Sequence, residues 1–134
     1  MSEEIRYPSI KQVEGLYNKI ISVTGGEQGY LSKSNLEYLL DTAKDIGERL
    51  DREQAIVKKA AFLMYNIVVL HPFVNGNKRT AYELVRLFLR LTDMKSNRAP
   101  VAYIGFSLDI ASGNVSASDV DKWMGMNLTK LGNE

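Results

Sequence analysis

Apolar positions recur along most of this chain at intervals of three and four, the repeat of a helix with one buried face. Ile10, Val13, Leu16, Tyr17, Ile20 and Ile21 form the first such stripe, which the glycines of TGGEQG end. Ser34 and Glu37 have capping-box spacing, and Leu36, Leu39, Leu40, Ala43 and Ile46 behind them predict a second helix stopping at Gly47. A third is expected from about residue 52 to residue 70, where Pro72 disfavours the helical region at His71. The fourth begins near Lys78 and continues to about Leu91, apolar around most of its circumference, which marks a central helix. Residues 100–111 read as helical, and Ser118 is placed to cap a last helix carrying Val120, Trp123 and Met124. Residues 24–34 break the pattern: three glycines around a short Tyr30-Leu31 stretch predict a small β-hairpin or flap. No internal repeat or Pro/Gly-rich linker divides the chain. The expectation is one all-α domain over residues 1–134, a compact helical bundle.

Composition narrows the function. At 134 residues the chain suffices for one domain with a real core, and 45% hydrophobic with 25% charged residues is a globular profile. The formal net charge is +1, which supplies no broad basic field for nucleic acid, although a few donors suffice to hold the phosphates of one nucleotide. No Cys is present, so disulfides, thiolate metal sites and a cysteine nucleophile are excluded together. The start, MSEEIRYPSI, lacks the basic and apolar regions of a secretory signal, and IVVL is too short to cross a bilayer. A cytoplasmic protein without membrane contact is expected.

The chemistry concentrates in HPFVNGNKRT, residues 71–80, between the third and fourth helices. A connector needs a turn; this one also holds the only His and an adjacent pair of cations. Exposed N–H groups at the start of the fourth helix, with its dipole, make an anion site. Gly76 lets a ligand approach the backbone, and Asn75 and Asn77 tolerate tight turns while offering hydrogen bonds. Lys78 and Arg79 sit where the dipole disfavours cations, at about a few tenths of a kcal/mol each, a penalty that a polyphosphate would reverse. Imidazole is the side chain suited to proton transfer near neutrality, and with Phe73 turned inward His71 faces out. A base, a phosphate cradle and cations within one bend match phosphoryl or nucleotidyl transfer to a hydroxyl. The alternative reading is a capped connector whose cations reach solvent.

These residues resemble the Fic/Doc family signature, H-x-F-x-[D/E]-[G/A]-N-[G/K]-R, at His71, Phe73, Gly76, Asn77 and Arg79. Lys78 followed by Arg79-Thr80 looks like the Doc, or death-on-curing, branch; GGEQGYLSKSNLEYLLDTA, residues 25–43, and FLRL, residues 88–91, extend the resemblance over about residues 10–95. It implies a helical fold of the Fic/Doc type, ATP and Mg²⁺ as cofactors, and a protein substrate bearing a Ser, Thr or Tyr hydroxyl. By position, His71 is the general base. Gly76 and Asn77 form the anion-binding turn, Arg79 neutralises phosphate charge, and Lys78 goes with transfer of a phosphoryl group instead of AMP. Tyr30 and Leu31 fall in the flap along which a target segment docks as an added strand. Asn75 stands where the family places the Asp or Glu that holds Mg²⁺, and a neutral carbonyl oxygen is a weaker ligand for that ion.

The resemblance thus implies a Doc-like toxin that phosphorylates a protein hydroxyl, such as one on a translation elongation factor, and is restrained by a separate antitoxin, since no [S/T]-x-x-x-E-[G/N] inhibitory stretch is present. AMP transfer by the same His71 machinery is the first alternative, and a noncatalytic nucleotide- or partner-binding module, motivated by Asn75, the second. A nucleic-acid binder is disfavoured by the near-neutral charge. Trp123 and Met124 are read as core, Asp119 and Asp121 as first-turn residues of a helix. Arg86, Arg90, Lys95 and Arg98 form a basic flank.

Overall fold

The computed structural model describes residues 4–131. Helices α1 (Ile10–Thr24), α2 (Lys33–Thr42), α3 (Arg52–Leu70), α4 (Asn77–Leu91), α5 (Pro100–Ala111) and α6 (Ala117–Asn127) account for most of them. Strands β1 (Met94–Ser96) and β2 (Leu128–Lys130) pair antiparallel, Lys95 opposite Thr129, and tie the chain after α4 to the chain after α6.

The antiparallel pair α3 and α4 forms the centre. α3 also packs on α2, α5 and α6, and α4 on α1, α5 and β1. Ala60 and Ala61 on α3 and Ala81 on α4 are buried and small, which lets the two axes approach while Ile56, Met64, Ile67, Leu84 and Phe88 fill the space around them. Each such large side chain contributes about 1.5–3 kcal/mol on burial. α4 is less enclosed than its sequence suggests: Arg79, Arg86 and Arg90 keep one stripe of it open. The all-α expectation holds, with one two-stranded ribbon added.

Several local expectations are corrected. The cap of α2 is Ser32, not Ser34; its hydroxyl accepts from Asn35 N–H at 3.2 Å, while its own N–H is held by Pro72 carbonyl oxygen. That long-range bond fixes where the chain turns into the helix. α2 ends at Thr42, short of Gly47, and residues 43–49 continue as turns. The last helix is capped by Ser116, not Ser118, in a reciprocal box with Asp119. Residues 24–34 do not pair with themselves; Tyr30 instead bridges to Phe73. Trp123 stacks on Phe106 with ring centroids 4.4 Å apart, and Met124 is fully buried, as core residues should be.

The turns after α2 depend on one buried cation. Lys59 Nζ, from α3, donates to the carbonyls of Ala43, Lys44 and Ile46 at 3.0, 3.0 and 2.6 Å. Burial lowers the ammonium from the usual lysine range, and the nearby Asp45 and Glu48 work against that shift. Lys59→Met keeps the stem but leaves three carbonyls without their donor, so we expect a loss of about 2–4 kcal/mol. Urea unfolding measures it; an unchanged midpoint would show that water replaces the ammonium freely.

Candidate active site

The connector is built around Phe73, which is fully buried. Its ring lies between Tyr17 of α1, with centroids 3.9 Å apart, and Tyr30 of the glycine-rich segment, at 5.0 Å. Its backbone is held by one side chain: Asn77 Oδ1 accepts from Phe73 N–H at 3.0 Å, and Asn77 Nδ2 donates to Phe73 carbonyl oxygen at 2.8 Å. This closes a ring of hydrogen bonds across the bend. Pro72 carbonyl oxygen accepts from Leu31 and Ser32, Val74 N–H donates to Gly29, and the Tyr17 hydroxyl contacts both Gly29 backbone groups. The glycine-rich segment is therefore stitched to the connector along its length.

His71 is exposed, as its alternation with Phe73 predicts. It ends α3 in the left-handed conformation, φ 50° and ψ 58°, with its N–H still donated to Ile67. Outside glycine that region costs about 1–2 kcal/mol; Pro72, which bars ordinary helix continuation, and the Asn77 clamp hold it there. Asn35 Nδ2 caps Leu70 carbonyl oxygen at 3.1 Å, so the helix end beneath the imidazole is anchored from α2.

Opposite lies the start of α4. Gly76 is its N-cap, also left-handed, and makes no side-chain cap bond. The first bond of the ladder runs from Thr80 N–H to Gly76, and no acceptor among the described residues takes the N–H groups of Asn77, Lys78 or Arg79. No acidic residue occupies the first turn. An uncapped helix start carrying two cations suits an anion.

His71, Asn77 and Lys78 line one cavity of about 870 Å³. α3 contributes Tyr65, Val68 and Val69 to its wall, and the connector from α5 to α6 closes the far side through Asn114, Val115 and Ser116. That wall has no signal in the sequence, because it is brought in by tertiary packing. Arg79 is exposed and outside the lining, with no ion pair among the described residues.

Two sequence-based assignments change. The Asn77 side chain is spent on Phe73, so only its N–H remains for an anion. Asn75 turns away from the cavity: its Oδ1 accepts from Glu27 N–H at 2.7 Å and its Nδ2 donates to Val74. A Cβ on Gly26 would sit 2.9 Å from that oxygen, so glycine is needed for the latch to close. Residues 71–79 contain no carboxylate, and no group of three or more His, Cys, Asp or Glu side chains gathers among the described residues. Asp119, the one carboxylate in the cavity lining among the described residues, already accepts from Ser116 N–H as part of the α6 cap, so the bend offers no set of ligands to hold Mg²⁺ by itself; magnesium arriving with ATP belongs to the substrate.

The Tyr30 side chain is engaged within the fold. Beyond stacking on Phe73, its hydroxyl donates to Glu14 Oε2 at 2.6 Å, and burial followed by that hydrogen bond pushes the phenol well up from 10.0. Leu31 beside it is 63% exposed.

The sequence comparisons agree with this architecture. Residues 7–89 match the Fic/DOC family. The chain belongs to that family. It is similar to the protein adenylyltransferase fic-1 of Caenorhabditis elegans, 39% identical over 69 residues, and to that of Caenorhabditis briggsae, 38% identical over 69 residues. Each match covers 48% of this chain and 13% of the relative, so the chain spans a small fraction of the curated relatives it matches.

Asn77→Ala is expected to destabilise the protein by about 2–4 kcal/mol, since two buried backbone groups lose their partners. Asn77→Asp, which keeps only the acceptor, should fall between; equal stability of all three in urea would contradict the clamp. Because the Tyr30 phenol is raised in the folded state, its contact contributes stability below about pH 10 and loses it as pH climbs through the raised value. In an ultraviolet titration Tyr30→Phe should remove one late-ionising tyrosine, and an unchanged late phase would contradict the bond to Glu14.

Proposed function

We propose that the protein transfers AMP from ATP to a hydroxyl of another protein. The observation that carries this reading is the shared cavity: an outward imidazole on one rim, and on the other an uncapped helix start with Lys78. The names of the two relatives support AMP as the transferred group. His71 takes the proton of the target hydroxyl. The freed oxygen attacks the α-phosphorus, the bond to the β-phosphate oxygen breaks, and pyrophosphate leaves. The amides of residues 77–79, with Lys78 and Arg79, offset the charge that develops on the phosphates. The target lies beside exposed Leu31, on the open edge of the segment whose other edge is bonded to Pro72.

Lys78 favours a second reading, a Doc-type toxin that moves the γ-phosphoryl group and releases ADP, held in check by a separate antitoxin protein. Asn75 favours a third, nucleotide binding without transfer. ATP labelled at its α or its γ phosphate separates all three. Protein-bound label from the α position alone is expected; γ label alone would establish the phosphotransferase, and no label with ATP still bound would establish the binding module. His71→Ala should lower transfer about 10²–10⁴-fold with ATP binding largely retained. Transfer at the original rate in that variant would reject the base.

A further inference from the structure

One step of the bend carries chemistry that the transfer reaction does not use. Asn75-Gly76 is the one Asn-Gly pair in the 134-residue sequence. In such a pair the backbone nitrogen of the glycine is unshielded by any side chain of its own. It is also the nucleophile nearest to the asparagine carboxamide, and the two close a succinimide ring. Each residue has a structural reason to be where it is. Asn75 latches the glycine-rich segment through Glu27, and Gly76 is called for by its φ of 81° and by Ile21, 3.2 Å from where a Cβ would sit. Their adjacency is what creates a reactive site.

The fold leaves this pair open to reaction. Asn75 is exposed, whereas Asn77, two residues on, is buried and followed by Lys78. No acceptor among the described residues takes the Gly76 N–H, so that nitrogen is not committed to a backbone bond. The positive end of the α4 dipole, with Lys78 and Arg79 in the first turn, favours loss of its proton. On the electrophile, Asn75 Oδ1 accepts from Glu27 N–H at 2.7 Å. That donor draws electrons from Cγ and offsets the charge that gathers on the oxygen as a nucleophile adds. Asn75 Nδ2 donates to the carbonyl oxygen of its chain neighbour Val74 at 3.0 Å, so departure of the nitrogen breaks one exposed bond.

We propose that Asn75 deamidates spontaneously in the folded protein and that the change opens the latch. The Gly76 nitrogen gives its proton to hydroxide and adds to Asn75 Cγ. The bond from Cγ to Nδ2 then breaks, and ammonia leaves with a proton from water. A second water opens the succinimide at either carbonyl, giving isoaspartate or aspartate at position 75. In the isoaspartyl product the former side-chain carbonyl belongs to the main chain, one methylene is added before the Gly76 cap, and the contact with Glu27 N–H is lost. In the aspartyl product an acceptor replaces the Nδ2 donor, and two oxygens face each other at Val74. Both products place a negative charge beside the start of α4 and remove at least one of the two latch bonds. The step needs only water and does not rest on transfer of AMP or phosphate.

Ageing the purified full chain in warm, mildly alkaline water enriched in heavy oxygen tests this, with peptide mapping by mass. Residue 75 should take up the label as a mixture of isoaspartate and aspartate. The rate should lie within about tenfold of that in the free peptide HPFVNGNKRT, because the Glu27 N–H offsets the restraint of the fold. Asn75→Gln, whose longer side chain closes a larger ring more slowly, should take up none over the same period. The converted fraction is more acidic and separates by ion exchange. In it, hydrogen exchange at the Glu27 amide should quicken about tenfold or more, while Asn75→Gln aged alongside shows no change in its own exchange. A slower conversion at residue 75, label confined to other asparagines, or Glu27 exchange unaltered in the converted fraction would overturn the proposal.

Discussion

One side chain holds the bend on which everything else rests. By bonding both backbone groups of Phe73, the Asn77 carboxamide brings the end of α3 and the start of α4 to opposite sides of a short turn. Stacking of Phe73 between Tyr17 and Tyr30 contributes about 0.5–1.5 kcal/mol for each ring pair beyond burial. It also couples α1 and the glycine-rich segment to the same point. Position follows from these contacts. With Phe73 locked inward, His71 has nowhere to go but out.

The same geometry leaves costs unrelieved. His71 sits in a disfavoured backbone region, the first amides of α4 lack acceptors among the described residues, and two cations stand at the positive end of the helix dipole. Gly76 is required by its positive φ and by Ile21, 3.2 Å from where a Cβ would sit, but stability does not call for two cations and no acid in the turn that follows. α1, α2, α3 and α6 do have side-chain caps, from Ser9, Ser32, Asp51 and Ser116. α5 also starts without a side-chain cap, at Ala99, but carries Pro100 there and no cation; at α4 the uncapped start coincides with Lys78, Arg79 and the histidine. A polyphosphate would satisfy the amides and the cations at once.

Much of this was legible in the sequence, because it is local. Helical spacing located α1, α3 and α4, Pro72 marked the end of α3, and alternation of His71 with Phe73 predicted which faced the core. Most of what failed depended on distant partners. Ser34 looked like the cap because nothing near it in sequence reports that Pro72 anchors Ser32. The 24–34 segment reads as a hairpin because its glycines permit one, whereas its strand partner lies more than forty residues away, at Phe73. β1 and β2 are too short to show a period. Asn75 and Asn77 both look ligand-facing in the sequence; the partner of Asn75 Oδ1, Glu27 N–H, is far away in the chain, whereas Asn77 bonds Phe73 in its own bend, a local contact that the spacing alone does not announce. Ser116 and Asp119 show their capping spacing in the sequence, and Ser118, two residues on, competes with them for the same role.

The most direct test is where a triphosphate comes to rest. In a co-crystal with a non-transferable ATP analogue, phosphate oxygens should lie about 2.7–3.2 Å from the amide nitrogens of residues 77–79, with the imidazole of His71 facing the reacting phosphorus from the open side. An analogue bound elsewhere, or bound with its phosphates in solvent while that helix start stays vacant, would contradict the account.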